Sequence, residues 1–380
     1  MLNIENTSYW ERKTFFDNID YLIIGAGIVG YSTAFHLKEL NPEAKILIIE
    51  RGILPSGASS KNAGFACFGS ATELYDDLQR MDESCVWETV ALRWKGLQYL
   101  RSILGDHQLD LRHYGSWDLI TNQEQELFEA TQGKLDHFNS QLESITGKKN
   151  VYSIDNDVSN RFGFSHVNTS IYNRLEGQID TAKMNSSFYS LIINKGIQVL
   201  FGIKAEEIHN TTSGAIVNTN FGEITTTKVV ICTNGFASQF IKNETIRPAR
   251  AQVIITEPIN GLSIKGTFHY NQGYYYFRNI DNRILFGGGR NLDFKGETTV
   301  ELNTTELVQD KLRELLDTVI LPGKKISIAH TWSGIMGVGD SKKPIIKQIS
   351  EHVYCGVRLG GMGIAIGTLV GKELAALIKN

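Results

Sequence analysis

Three glycines and one acid carry the clearest chemistry in this sequence. In YLIIGAGIVG, Gly25, Gly27 and Gly30 fit the pattern G-x-G-x-x-G, and Glu50 stands twenty residues beyond Gly30. Gly25 permits a tight strand-to-helix turn, Gly27 lets the backbone approach a diphosphate, and Gly30 lets the helix lie close on the strand. The free N–H groups around Ile28 and the helix dipole then face an anion. Glu50 is placed to accept ribose hydroxyl protons. An acid rather than a base there disfavours a 2′-phosphate, so NADP is not expected, and FAD and NAD remain. Arg51 follows directly, beside the expected adenosine.

The elements needed to hold these residues are legible. Residues 21 to 24 form a short apolar run, Val29, Thr33, His36, Leu37 and Leu40 fall at helical spacing, and Asn41-Pro42 ends the helix. A second apolar run at 45 to 49 completes a βαβ unit. A Gly/Ser-rich loop, GILPSGASSKNAG, comes next, then helical patterning to about residue 105 and one exposed helix over 123 to 143. Another helix is expected at 181 to 195. Short strands follow to residue 235, the stretch 251 to 290 is strand-rich, a helix is expected near 304 to 317, and the chain closes with a glycine-rich turn and a helix.

Charge is nearly balanced, with 38 Lys and Arg against 41 Asp and Glu, so a nucleic-acid groove or a polybasic membrane patch is not indicated. No apolar run reaches the roughly 20 residues that span a bilayer, and the first residues lack a secretory pattern. The expectation is a soluble cytoplasmic protein acting on a small molecule, its oligomeric state open. Cys67, Cys85, Cys232 and Cys355 lie far apart, so no zinc site, no other metal site and no disulfide framework are expected. The scattered Ser and His residues give no support for a catalytic triad.

SGASSKNAG (56 to 64) resembles the G-A-S-x-[RK]-N-x-G loop of the D-amino-acid oxidase-like flavoprotein superfamily. EGQIDTAKM resembles its G-x-[IV]-[DH]-P segment, with Thr181 for the proline, and VVICTNGFA resembles its strand and turn behind the ribose, with an unusual Asn234. WSGIMGVGDSKKPIIK and GVRLGGMGIAIG resemble its C-terminal segments. The resemblance implies a mixed α/β fold of two domains. A Rossmann-like FAD-binding domain is expected from 1–80, 150–240 and 328–380, and an antiparallel-sheet substrate domain from 81–149 and 241–327.

The resemblance also implies non-covalent FAD. Ser59, Ser60 and Lys61 are expected near its diphosphate, Asn62, Ala63 and Gly64 near its ring, and Ala205 at the adenine edge. Thr233 and Gly235 are expected behind the ribose. Gly360, Gly361, Met362, Gly363 and Ile364 are expected at the flavin edge, where backbone donors and a helix N-terminus would favour the reduced ring. The implied activity is oxidation of a small amine or amino acid by hydride transfer to flavin N5. Oxidation of a hydroxy acid or polyol phosphate, or a flavin-binding module without turnover, stay open beside it. Relatives carry a substrate-carboxylate arginine after W-x-G, and this chain has Met336 there. Arg358 is the leading candidate for a cofactor or substrate role, with Arg278 and Arg290 behind it. Tyr274, Tyr275 and Tyr276 are expected mainly as core, and Trp332 as packing beneath the site.

Overall fold

A computed structural model describes residues 3–379. The parallel heart of the first sheet is built from apolar strands that are buried on both faces, as βαβ crossovers require. Strand Ile19–Ile24 lies between Ile46–Glu50 and Gly222–Ile231, with Gln198–Phe201 beyond the former and Val353–Val357 beyond the latter, all parallel. Antiparallel strands extend this core at Ile345–Ser350 and through Ala215–Thr219 to Ala205–Asn210. Helices Ile28–Leu40 and Gly363–Lys379 cross closely on it, since a Cβ on Gly371 would meet Ser32 at 2.5 Å and one on Gly367 would meet Ile28 at 2.6 Å.

The second sheet runs Ile328–Val338, Arg247–Thr256, Arg283–Gly288, Tyr275–Ile280, Thr267–Tyr270, Ser116–Ile120, Thr169–Asn173 and Tyr152–Asp155. It is antiparallel except where Thr267–Tyr270 meets Ser116–Ile120. Its core is aromatic, with Phe268 stacked on Phe277 at 4.7 Å and on Trp117 at 5.0 Å.

Two sheets are present, as the mixed α/β expectation requires, and they draw on segments from along the whole chain. Strands Tyr152–Asp155, Thr169–Asn173 and Ile328–Val338 join the second sheet, where backbone pairing to Ser116–Ile120 and Arg247–Thr256 satisfies their amides. Helix Glu83–Leu104, expected with the substrate domain, lies against the C-terminal helix, because Gly96 lets the backbone of Ala365 come within 2.1 Å of where a Cβ would stand. The single helix expected over 123 to 143 is two, Gln125–Gln132 and Leu135–Thr146, broken at Gly133, and Phe128, Leu135, Phe138 and Leu142 on them are buried rather than exposed. No helix among the described residues is long and apolar enough to cross a membrane.

Candidate active site

One cavity of about 630 Å³ runs from the Gly25 turn to the space between the two sheets. At its first end the backbone is held open by interlocking polar contacts. Glu50 accepts from the Ala26 amide at 3.1 Å through one oxygen, and from the Gly52 amide at 3.1 Å and Ser56 Oγ at 2.8 Å through the other. Ser59 Oγ accepts from the Ile28 amide at 2.9 Å, so the loop and the helix N-terminus are tied together. The space suits a dinucleotide diphosphate: a Cβ on Gly27 would reach 3.0 Å from Ser59 Oγ, and the buried hydroxyl of Thr233, a residue of the cavity lining, has no partner among the described residues.

Gly25, Gly27, Ile28, Glu50, Arg51, Ser59, Lys61, Asn62, Ala63, Gly64, Ala205 and Thr233 therefore share one cavity, as do Met336, Gly360, Gly361, Met362, Gly363 and Ile364. Four expected residues, Gly30, Ser60, Gly235 and Arg358, stand outside its lining. Gly30 packs helix on strand. Ser60 turns outward and donates to the Pro55 and Gly57 carbonyls. Gly235 backs onto Met336, whose carbonyl lies 2.5 Å from where a Cβ would be.

The departures from the resemblance find physical reasons. Thr181 donates its hydroxyl to Asn62 Oδ1 at 2.9 Å, and the same oxygen takes the Gly64 amide at 2.9 Å, so a threonine braces the loop from which the usual proline offers no donor. Asn234 has φ 46°, a left-handed conformation that asparagine tolerates, and its Oδ1 accepts from the amides of Arg358 and Leu359. Phe236 lies 3.7 Å beneath the Arg51 guanidinium carbon, which fixes Arg51 against the cavity wall.

Arg358 does not read the cavity. Its guanidinium donates to the carbonyls of Lys343 and Thr245, on the far side of the glycine turn. Arg278 is likewise turned away, buried with Nη1 donating to the Gly64 and Ile179 carbonyls at 3.1 and 2.7 Å. Burial without a carboxylate partner brings it down to about 10. Arg290 differs in lining the cavity; no carboxylate of the described residues pairs with it, and its Nε, like that of Arg278, is buried without a partner among them. Its guanidinium carbon lies 5.1 Å from the Phe294 ring, and burial lowers its pKa.

The tyrosines divide by the pleat of their strand. Tyr274 and Tyr276 line the cavity and Tyr275 enters the core. Burial pushes the Tyr276 phenol up to about 12. Trp332 packs under the loop with Phe65 and Ala63 and donates Nε1 to the Lys61 carbonyl at 2.9 Å. Gly360 and Gly361 hold φ of 57° and 84° at the entry of helix Gly363–Lys379. The first amides of that helix have no intrahelical acceptor and line the cavity.

Sequence reasoning missed an ionic wall on helix Ala71–Arg80. Glu73, Asp76 and Asp77 line the cavity, and Lys342 reaches across to Glu73 and Asp77 at 2.7 Å each. Burial pushes Glu73 up, but Arg93 and Lys342 outweigh it and bring it down to about 2. This carboxylate stabilises the fold above its unfolded range near 4.5, and that stability is lost as pH falls toward 2. In Lys342→Met, where the folded-state carboxyl returns toward 4.5, the melting temperature should be lower at pH 7 and should fall less between pH 5 and pH 3 than in the wild type. Melting curves between pH 3 and 7 that stay parallel would refute the linkage. The acids stand four apart on a helix, an ordinary surface spacing, so no sequence signal marks them.

A Rossmann-like sheet with a dinucleotide cradle, opening onto a second antiparallel sheet, defines a two-domain dinucleotide-dependent oxidoreductase. The family model described as DAO, FAD dependent oxidoreductase, matches residues 20–377, and the chain belongs to that family. This decides for FAD over NAD. Gamma-glutamylputrescine oxidoreductase of Escherichia coli (strain K12) is 22% identical over 382 residues, covering 95% of this chain and 84% of that protein. In fold the chain is similar to glycine oxidase from Bacillus cereus ATCC 14579, with a TM-score of 0.76 at 16% identity over 95% of each chain. Iminodiacetate oxidase from Chelativorans sp. BNC1 gives 0.74 at 19% identity, over 94% of this chain and 95% of that one.

Proposed function

We propose that this protein oxidises a small amine or amino acid, with Arg290 holding a substrate carboxylate. The observation that carries the reading is an arginine without a carboxylate partner on the wall of a cavity that continues into the dinucleotide cradle. FAD, when bound, supplies the acceptor for a hydride leaving the C–H bond beside the substrate nitrogen. The Gly27 amide and the N-terminus of helix Ile28–Leu40 would face its diphosphate, Glu50 would hold the ribose, and Asn62, Ala63 and Gly64 would lie along the ring.

The amides of Gly361, Gly363 and Ile364 and the helix N-terminus would favour negative charge at the ring edge. Arg290, in the short 3-10 turn Arg290–Leu292 that follows strand Arg283–Gly288, replaces the arginine that Met336 displaces, and its planar fork suits a carboxylate. Tyr274, Tyr276 and Met336 wall the reacting carbon from water. The related gamma-glutamylputrescine oxidoreductase supports including diamine-derived substrates in the test.

The test is anaerobic mixing of the FAD-loaded protein with amino acids, amines, amine conjugates and hydroxy acids, followed by flavin absorbance. Bleaching by a nitrogen substrate is expected. Bleaching by hydroxy acids alone would overturn the reading, and bleaching by dithionite alone would mark a module without turnover.

A further inference from the structure

Three chemically distinct ligand groups converge on one point of the cavity wall from positions far apart in the chain. Cys67, Glu176 and His269 each offer a ligand atom, and these atoms lie within 4.8 Å of one another. Glu176 is fully buried, and one of its carboxylate oxygens accepts from the amides of Phe68 at 2.7 Å and Gly69 at 3.0 Å. Its other oxygen is buried with no partner, and His269 Nε2 is buried with no partner as well.

Cys67 Sγ makes only long contacts, 3.9 Å to the Gly177 carbonyl and 3.8 Å to Thr267 Oγ1. Buried polar atoms are ordinarily paired, and leaving one unpaired costs about 1–3 kcal/mol. Here two such atoms and a thiol face a common point, so the cluster is short of a partner that accepts lone pairs. Cys67 and His269 also line the cavity, which gives an entry path.

We propose that Cys67, Glu176 and His269 form a Zn2+-binding site, with its fourth coordination position open to the substrate cavity. Sulfur, imidazole and carboxylate together are a borderline-soft set that suits zinc and disfavours magnesium or calcium. A thiolate and a carboxylate bring two negative charges against the two positive charges of the ion, so the occupied site is neutral where burial makes net charge costly. Binding forms a Zn–S bond and releases the thiol proton to solvent. The Phe68 and Gly69 amides fix the orientation of Glu176, and Phe65 packs against the His269 ring at 5.5 Å in an edge arrangement, the kind of support metal ligands need. The inference concerns binding alone and stands whether or not the amine reading is right.

The test uses the FAD-loaded protein freed of metal and titrated with Zn2+ against a chromophoric chelator. One equivalent should bind, and zinc X-ray absorption should show one sulfur at about 2.3 Å with nitrogen and oxygen at about 2.0–2.2 Å. Cys67→Ser and His269→Gln should each weaken binding at least roughly tenfold, and the sulfur scatterer should vanish in Cys67→Ser. A wild-type spectrum without sulfur overturns the proposal, as does equal affinity in Cys67→Ser. The wild-type spectrum decides the matter even if a variant fails to fold, and none of these readouts depends on turnover.

Discussion

In Arg290→Met, the KM for an amino-acid substrate should rise roughly 30- to 1000-fold, equivalent to about 2–4 kcal/mol, the usual loss when one partner of a buried charge pair is truncated. The size follows from the setting of the guanidinium. Its Nε is already buried and its charge has no carboxylate partner among the described residues, so a bound carboxylate has no internal competitor. Because this contact is made in the ground state and kept through the reaction, kcat should change far less than KM. An amine lacking a carboxylate should be oxidised equally well by both proteins, which separates loss of the anchor from general damage. Arg290→Lys should recover part of the affinity, since an ammonium cannot make the paired contact of a guanidinium. Steady-state kinetics on the three proteins check this, and an unchanged KM in Arg290→Met would remove Arg290 from the site.

The second large effect is expected at Gly30. A Cβ there would stand 2.0 Å from the Gly25 carbonyl oxygen and 3.5 Å from an Ile23 methyl. The obstacle is backbone of the same turn, so it cannot rotate aside as a side chain would. Gly30→Ala must push helix Ile28–Leu40 away from strand Ile19–Ile24, which breaks the alignment of the Gly27 and Ile28 amides. The expected product is colourless after purification and melts roughly 4 °C lower, for a cost of about 3 kcal/mol. Gly133→Ala is the control, because its nearest neighbours would lie 3.6 Å away, an ordinary contact. Flavin content and melting temperature check both, and a Gly30→Ala protein that retains FAD would show that the turn tolerates a side chain.

Local patterns made much of this protein readable. Gly25, Gly27, Gly30 and Glu50 lie within one βαβ unit, where spacing along the chain fixes position in space, and they stand where the pattern places them. The Asn62 loop was legible for a similar reason, since its glycine and asparagine are demanded by the backbone path. The strands Tyr152–Asp155 and Thr169–Asn173 fall in a stretch where the sequence pattern marked no element, and neither they nor Ile328–Val338 were legible as members of the second sheet. Their pairing partners come from distant segments, and alternation does not say which neighbour will satisfy a strand's amides.

Side-chain direction was the least legible property. Arg358, Arg278 and Arg290 were comparable from sequence, each an arginine beside a glycine-rich or aromatic strand. Arg358 takes φ 64° at the turn and spends its guanidinium on the carbonyls of Lys343 and Thr245. Arg278 spends its Nη1 on those of Gly64 and Ile179. Only Arg290 is left facing the cavity.

The sequence by itself determined the dinucleotide cradle, the cofactor class through the loop it resembles, and the two-layer α/β plan, because each is written in short-range spacing and backbone demand. Only the tertiary structure decided which of the three arginines lines the cavity, that Glu73 and Asp77 are bridged by Lys342, and that Cys67, Glu176 and His269 meet at one point. Those are relations between residues a hundred or more positions apart in most cases, and they are set by how two sheets close over a shared cavity rather than by any pattern within a segment.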